Sequence, residues 1–272
     1  MEAKAVRPFF LIGPLRTGSS LLARCIDDHP DAICLCESEI NRTLFSPYAI
    51  AHHVKRMEAH GLRSEQALKL LSGRRQDSID DWRGWYSSVR PLLCERYGKP
   101  DIQALGDKSP DFFTAPTLVE AIAGTEPLVY TVRDPRAILR SIYRQVDASP
   151  AEKAERWEFL KANIRCWRPH WERPNVLSVR YEDLVRDPVA TMTRVYGHLS
   201  LPPSTRFMEP FHRLDHRRFL WGTAVDWESG GHRDFDCSRA ELSDEELSLE
   251  QHDWIASDPQ IALFTERFGY DR

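Results

Sequence analysis

The sequence predicts an α/β fold: a parallel sheet flanked by helices, with a helical insertion after the second strand. Three observations carry this expectation. The chain opens on a short apolar run, Phe9 to Ile12, which ends at Gly13; helical spacing follows from Gly18, and a second short run covers Asp31 to Cys36. That is a strand–loop–helix–strand unit, the building block of parallel sheets. Leu128 to Val132 and Val176 to Arg180 repeat the apolar strand pattern further on, and the stretch from about 40 to 100 has helical spacing but no convincing strand.

Taken in order, the first helix carries Leu21, Leu22, Cys25 and Ile26 on one face and stops at His29-Pro30, because proline disfavours a helical residue before it. In the insertion, Leu62, Ala67, Leu68 and Leu71 recur at helical spacing, joined by Trp82, Trp85 and Tyr86. Ala104-Leu105 reads as a short strand ending at Gly106-Asp107-Lys108-Ser109-Pro110, with a helix to about 123. After Leu128 to Val132, Asp134 caps a helix and Pro135 suits its first position. A further helix spans about 151 to 171. Asp187-Pro188 repeats the cap-plus-proline start for a helix to about 199, and Ser243-Asp244-Glu245-Glu246 reads as a capping box for a late acidic helix. The chain of 272 residues suits a single domain, 1–272, with the insertion at about 40–100.

Net charge is −4, so nothing pulls the chain as a whole toward nucleic acid or anionic membrane, although 37 Lys and Arg leave room for a local basic site. No apolar run approaches the roughly eighteen residues of a membrane span, and a cytoplasmic protein is expected. The six cysteines form no C-x-x-C pair and read as reduced, mostly buried thiols. His212 and His216 lack a third ligand nearby and read as surface residues.

Gly13-Pro14-Leu15-Arg16-Thr17-Gly18-Ser19-Ser20 has the glycine spacing of a Walker A loop, which gives the sheet a P-loop character. Glycines let backbone N–H groups turn toward one anion, and the helix N-terminus behind adds partial positive charge. Thr17, Ser19 and Ser20 bring hydroxyls. The Walker lysine position holds Ser19, and the loop's cation is Arg16. A nucleoside triphosphatase relies on that lysine and a metal, whereas the planar guanidinium suits a tetrahedral oxyanion. A second basic corner, Thr131-Val132-Arg133-Asp134-Pro135-Arg136, puts Arg133 at the carboxyl end of a strand, where open α/β sheets bind ligands. Ser141 lies about two turns into the following helix and can join Arg133 in gripping a second phosphate.

These residues bear a family resemblance. Gly13 to Leu22 resembles the 5′-phosphosulfate loop of sulfotransferases that use 3′-phosphoadenosine 5′-phosphosulfate (PAPS). Val132 to Arg136 with Ser141 resembles their 3′-phosphate motif. Gly106 to Pro110 resembles the lysine-containing segment of the tyrosylprotein and carbohydrate branches, and Val179 to Leu184 another recurrent segment. The resemblance runs over about 8 to 200. It implies that Arg16, Thr17, Gly18, Ser19 and Ser20 hold the 5′-phosphosulfate, that Arg133 and Ser141 hold the 3′-phosphate, that Lys108 assists the leaving group, and that no metal is required. The family's C-terminal basic loop is not clearly matched; the segments 216–222 and 230–233 are alternatives for it.

Sulfuryl transfer also needs a base for the acceptor's proton. The tyrosylprotein branch carries a glutamate pair after a similar His-Pro-Asp segment. Glu37 and Glu39, which alternate along an extended chain, are the candidates here, with Glu39 slightly favoured and His52 and His53 second. The tryptophans of the insertion, with Trp157, Trp167 and Trp171, read either as core or as the lining of a pocket for a small-molecule, carbohydrate or peptide acceptor. The competing readings are a P-loop kinase-like phosphotransferase and a non-catalytic nucleotide-binding relative.

Overall fold

The computed structural model describes residues 6–36, 79–110, 112–114, 116–144, 149–209, 237–240 and 247–270, with a few isolated residues besides. Five strands form one parallel sheet: β1 (Arg7–Ile12), β2 (Ala32–Cys36), β3 (Ala104–Lys108), β4 (Leu128–Val132) and β5 (Val176–Arg180), in the order β2-β3-β1-β4-β5. β1, β2 and β4 are near-continuous apolar runs because a parallel sheet is covered on both faces. In β1 the pleat sends Phe10 and Ile12 into one core cluster and Phe9 and Leu11 into the other.

Nine α-helices are described. On the second face lie α1 (Ser19–Asp27) and α7 (Pro188–His198), whose Leu22, Ile26, Met192 and Val195 pack against Phe9, Leu11 and Val129. The first face is covered by α2 (Ile79–Tyr97), α3 (Pro116–Thr125), α4 (Pro135–Tyr143), α5 (Pro150–Trp167) and α9 (Pro259–Phe268). The short α6 (Tyr181–Arg186) leaves the end of β5, and α8 (Leu249–Ser257) precedes α9. Arg83 of α2 holds the buried carboxylate of Glu126 through Nε at 3.0 Å and Nη2 at 2.5 Å, fixing part of the predicted insertion against the start of β4.

The structure corrects several expectations. β3 runs on through Gly106 and Asp107 to Lys108, so Lys108 ends a strand instead of sitting in a loop. Its ladder continues because Phe10 and Leu11 of β1 pair with Asp107 and Lys108. Of the two readings of Trp157, Trp167 and Trp171, burial in the first core cluster with Tyr86 favours core. The late helix expected from Ser243 to Glu246 falls outside the described residues; α8 starts from a different capping box, Ser248 with Gln251. Among the described residues no helix is long and apolar enough to cross a membrane. The cysteines are free thiols, and burial pushes Cys25 up to about 12.

His29 is buried with both ring nitrogens engaged: Nδ1 accepts from the Asp31 amide at 3.0 Å, and Nε2 donates to the Pro202 carbonyl at 2.9 Å. His198 Nε2 meets the Leu128 carbonyl at 3.0 Å. Burial lowers the pKa of both rings. A histidine lowered in the folded state stabilises it fully above the unfolded value, about 6.5, and that stability is lost as pH falls through the lower folded value. The melting temperature is therefore expected to fall as pH drops below about 6.5, and less steeply in His29→Gln. A flat melting temperature down to about pH 5.5 would count against this.

Candidate functional site

The strand order places the site. From β1 the chain turns through α1 toward β2 on one side, and from β4 it turns through α4 and α5 toward β5 on the other. β1 and β4 are neighbours, so their carboxyl ends flank the crevice where the connections diverge, the usual ligand position in open parallel sheets. The loop 13–18 leaves one of these ends and Arg133 leaves the other.

The loop is held in a shape most residues avoid. Gly13 has φ 137°, Gly18 φ 80° and Arg16, although not a glycine, φ 66°. A Cβ on Gly13 would lie 2.5 Å from the Thr131 carbonyl, and one on Gly18 would run into the Tyr181 ring. Thr17 pins the loop from inside: its hydroxyl donates to the Pro14 carbonyl at 2.8 Å and lies 2.6 Å from the Thr131 hydroxyl, which donates to Ile12 or to Thr17. These contacts engage the hydroxyl within the protein. The backbone N–H of Thr17 is a further donor at the loop. Ser19 and Ser20, half-buried, open α1.

The start of α1 differs from that of its neighbours. Its N-cap is Gly18, no side chain caps its first amides, and no acid lies in its first turn. By contrast Asp134 caps α4, Ser149 caps α5, Asp187 caps α7 and Asp258 caps α9. Amides and the positive end of the helix dipole are thus directed at the crevice, the arrangement an anion stabilises.

The two basic motifs meet there. The exposed Arg16 reaches across the crevice, its Nε donating to Ser141 Oγ on α4 at 2.9 Å. Arg133 Nη1 donates to the Arg16 carbonyl at 3.3 Å, and the Arg133 guanidinium lies over the Tyr181 ring, 4.2 Å from its centroid. The sequence paired Ser141 with Arg133; the structure bonds it to Arg16, so Arg16, Arg133 and Ser141 form one connected group. Lys108 is buried at the end of β3, in register with Leu11 of β1 and Cys36 of β2. Glu37, Glu39, His52 and His53 lie outside the described residues, as do 216–222 and 230–233.

Three supporting residues were missed from the sequence. Tyr181 lies between Gly18 and Arg133 and touches both. Glu182, buried, accepts from the Asp134 amide at 3.1 Å and the Tyr270 hydroxyl at 2.7 Å, which ties the N-cap of α4 to the C-terminal end. Asn163, fully buried on α5, donates its amide to Gly13 O at 3.2 Å and Pro110 O at 2.9 Å. The Val179 to Leu184 similarity was the available signal for the first two; Asn163 carried none.

Comparison with known proteins bears on the fold and the family. Two solved structures share the fold. The sulfotransferase domain of the Synechococcus PCC 7002 olefin synthase is 19% identical, with a TM-score of 0.65 over 100% of this chain and 98% of that one. The sulfotransferase domain from the curacin biosynthetic pathway is 17% identical, with a TM-score of 0.62 over 98% of each. No curated protein matches the sequence. Residues 8–205 match the family model described as the sulfotransferase family, and they contain the phosphate loop, Lys108, Arg133 and Ser141. The chain belongs to the sulfotransferase family and is an enzyme of that class.

Proposed function

We propose that this sulfotransferase moves a sulfuryl group from PAPS to a hydroxyl or amine of a small-molecule, carbohydrate or peptide acceptor. The observation that carries the reading is the joined group of Arg16, Ser141 and Arg133 beside the uncapped start of α1. It offers cations and amides at two adjoining points, as a nucleotide with phosphates at both its 5′ and 3′ ends requires. The residues present fit that donor. The backbone of 16–20, the Arg16 guanidinium and the Ser19 and Ser20 hydroxyls would hold the 5′-phosphosulfate, and Arg133 with Ser141 the 3′-phosphate.

When bound, PAPS supplies an activated sulfate whose transfer leaves 3′-phosphoadenosine 5′-phosphate (PAP). The chain's work is positioning and charge stabilisation. Arg16 and the α1 amides would hold the oxygens of the 5′ group. Lys108, at the end of the adjacent strand, supplies a cation to the departing phosphate. A carboxylate just beyond β2, Glu37 or Glu39, takes the acceptor's proton.

The base assignment is tested by Glu37→Gln and Glu39→Gln, made separately and together. One of them is expected to lower turnover by roughly a hundredfold or more, the size of a lost general base, with PAP affinity unchanged. Unchanged turnover in the double variant would move the role to His52 or His53. PAP affinity is expected to be the same with and without a chelator. Binding of ATP that depends on magnesium, with no binding of PAP, would favour the kinase-like reading.

A further inference from the structure

We infer that Asn163 is a positioning residue that sets the separation between the phosphate loop and the Lys108 segment at the 5′ end of the donor site. The inference rests on the reading of Lys108 given above. β1 and β3 are adjacent, and their last rung is the Ser109 amide donating to the Leu11 carbonyl at 3.1 Å. Past that rung the strands part into two loops, one beginning at Gly13 and the other carrying Pro110. The Asn163 side chain reaches both, giving its amide to Gly13 O at 3.2 Å and to Pro110 O at 2.9 Å. The Tyr130 hydroxyl, 3.5 Å from Oδ1, faces the acceptor end of the same amide.

The residue's surroundings make this arrangement informative. Its neighbours on α5, Leu160, Ile164 and Trp167, are buried core residues, and Asn163 itself is 0% exposed. An apolar side chain would serve packing alone, since a buried amide is tolerated only when its hydrogen bonds are made. Here they are made to two loop carbonyls, one flanking the anion cradle and one two residues beyond Lys108. A single planar group thus ties the phosphate loop to the chain that leaves β3 after Lys108, beyond the last rung of the ladder.

The test is isothermal titration with PAP and with adenosine 3′-monophosphate, which lacks the 5′-phosphate. Asn163→Leu keeps the branched heavy-atom skeleton, with more bulk, and removes both donors. It is expected to weaken PAP by roughly tenfold and adenosine 3′-monophosphate by about twofold or less. Lys108→Ala is expected to weaken PAP by roughly tenfold or more, and Asn163→Leu in that background to add about threefold or less, the non-additivity of residues acting as a unit. Equal losses for both nucleotides, or full additivity with Lys108→Ala, would overturn the positioning role and leave Lys108 standing. A Lys108→Ala variant that binds PAP as the parent does would overturn the Lys108 reading and this inference with it. Should Asn163→Leu not fold, Asn163→Ser, too short to span both carbonyls, is read against the same outcomes.

Discussion

Arg133→Ala is expected to weaken PAP binding by roughly ten- to a hundredfold, the range for losing hydrogen bonds to a charged group, while affinity for AMP moves by about twofold or less. The contrast follows from position. Arg133 leaves the end of β4, whereas the loop and α1 follow β1, and it donates to the carbonyl of Arg16. Its guanidinium also rests on Tyr181, so its orientation is set before any ligand arrives. Asp134, next in the chain, has its amide held by Glu182 and its carboxylate turned toward Arg136, Nη2 to Oδ2 at 2.7 Å. The neighbouring negative charge is thereby engaged by another arginine. A parallel titration of the parent and Arg133→Ala with PAP and AMP reads the result. Equal loss for both nucleotides would mean that Arg133 acts on the fold or on the 5′ end.

Gly18→Ala is expected to abolish measurable PAP binding, a loss beyond roughly a hundredfold, because two costs coincide there. The left-handed backbone, φ 80°, penalises any Cβ by about 1–2 kcal/mol. The new methyl also meets the Tyr181 ring, which must swing away and release the face on which Arg133 lies. One substitution therefore disturbs both phosphate contacts. At this chain length a loss of about 2 kcal/mol lowers the melting temperature by roughly 4–8 °C. Gly98→Ala is the control: φ there is 62°, yet a Cβ would meet nothing within 4 Å. That variant is expected to lose stability and keep PAP affinity. Unchanged PAP binding in Gly18→Ala would show that the loop and Arg133 are not coupled through Tyr181.

Much of the fold was legible because four of the five strands are buried almost throughout and the fifth, β5, is half-buried. Leu128 to Val132 and Val176 to Arg180 could be read to the residue, since apolar runs bounded by turn residues have few other uses. β3 was cut short because Gly106, Asp107 and Lys108 are poor strand formers by propensity; pairing on both sides, with Phe9 to Leu11 and Cys34 to Cys36, overrides it. The Asp-Pro start was recognised at 134 and 187 but passed over at 258, where Asp258 accepts from the Gln260 amide at 2.8 Å and Pro259 opens α9.

The site divides in the same way. Arg16, Arg133 and Ser141 fall in recognisable motifs and could therefore be named from the sequence. How they connect could not, because the Arg16 to Ser141 bond spans 125 positions. Asn163 and Glu182 act on backbone groups of distant segments, and a lone polar residue in a helix carries no spacing to betray that. The contacts of the Thr17 hydroxyl with Pro14 and Thr131 were not legible either, because composition says which donors exist but not where they lie.

The most direct measurement is transfer of label from sulfur-labelled PAPS across a panel of phenols, sugars, lipids and peptides. Label is expected to appear on at least one acceptor class, to be suppressed competitively by PAP, and to fall with Arg16→Ala. Label that stays on PAPS throughout, with phosphate passing instead from γ-labelled ATP, would contradict the sulfuryl-transfer reading.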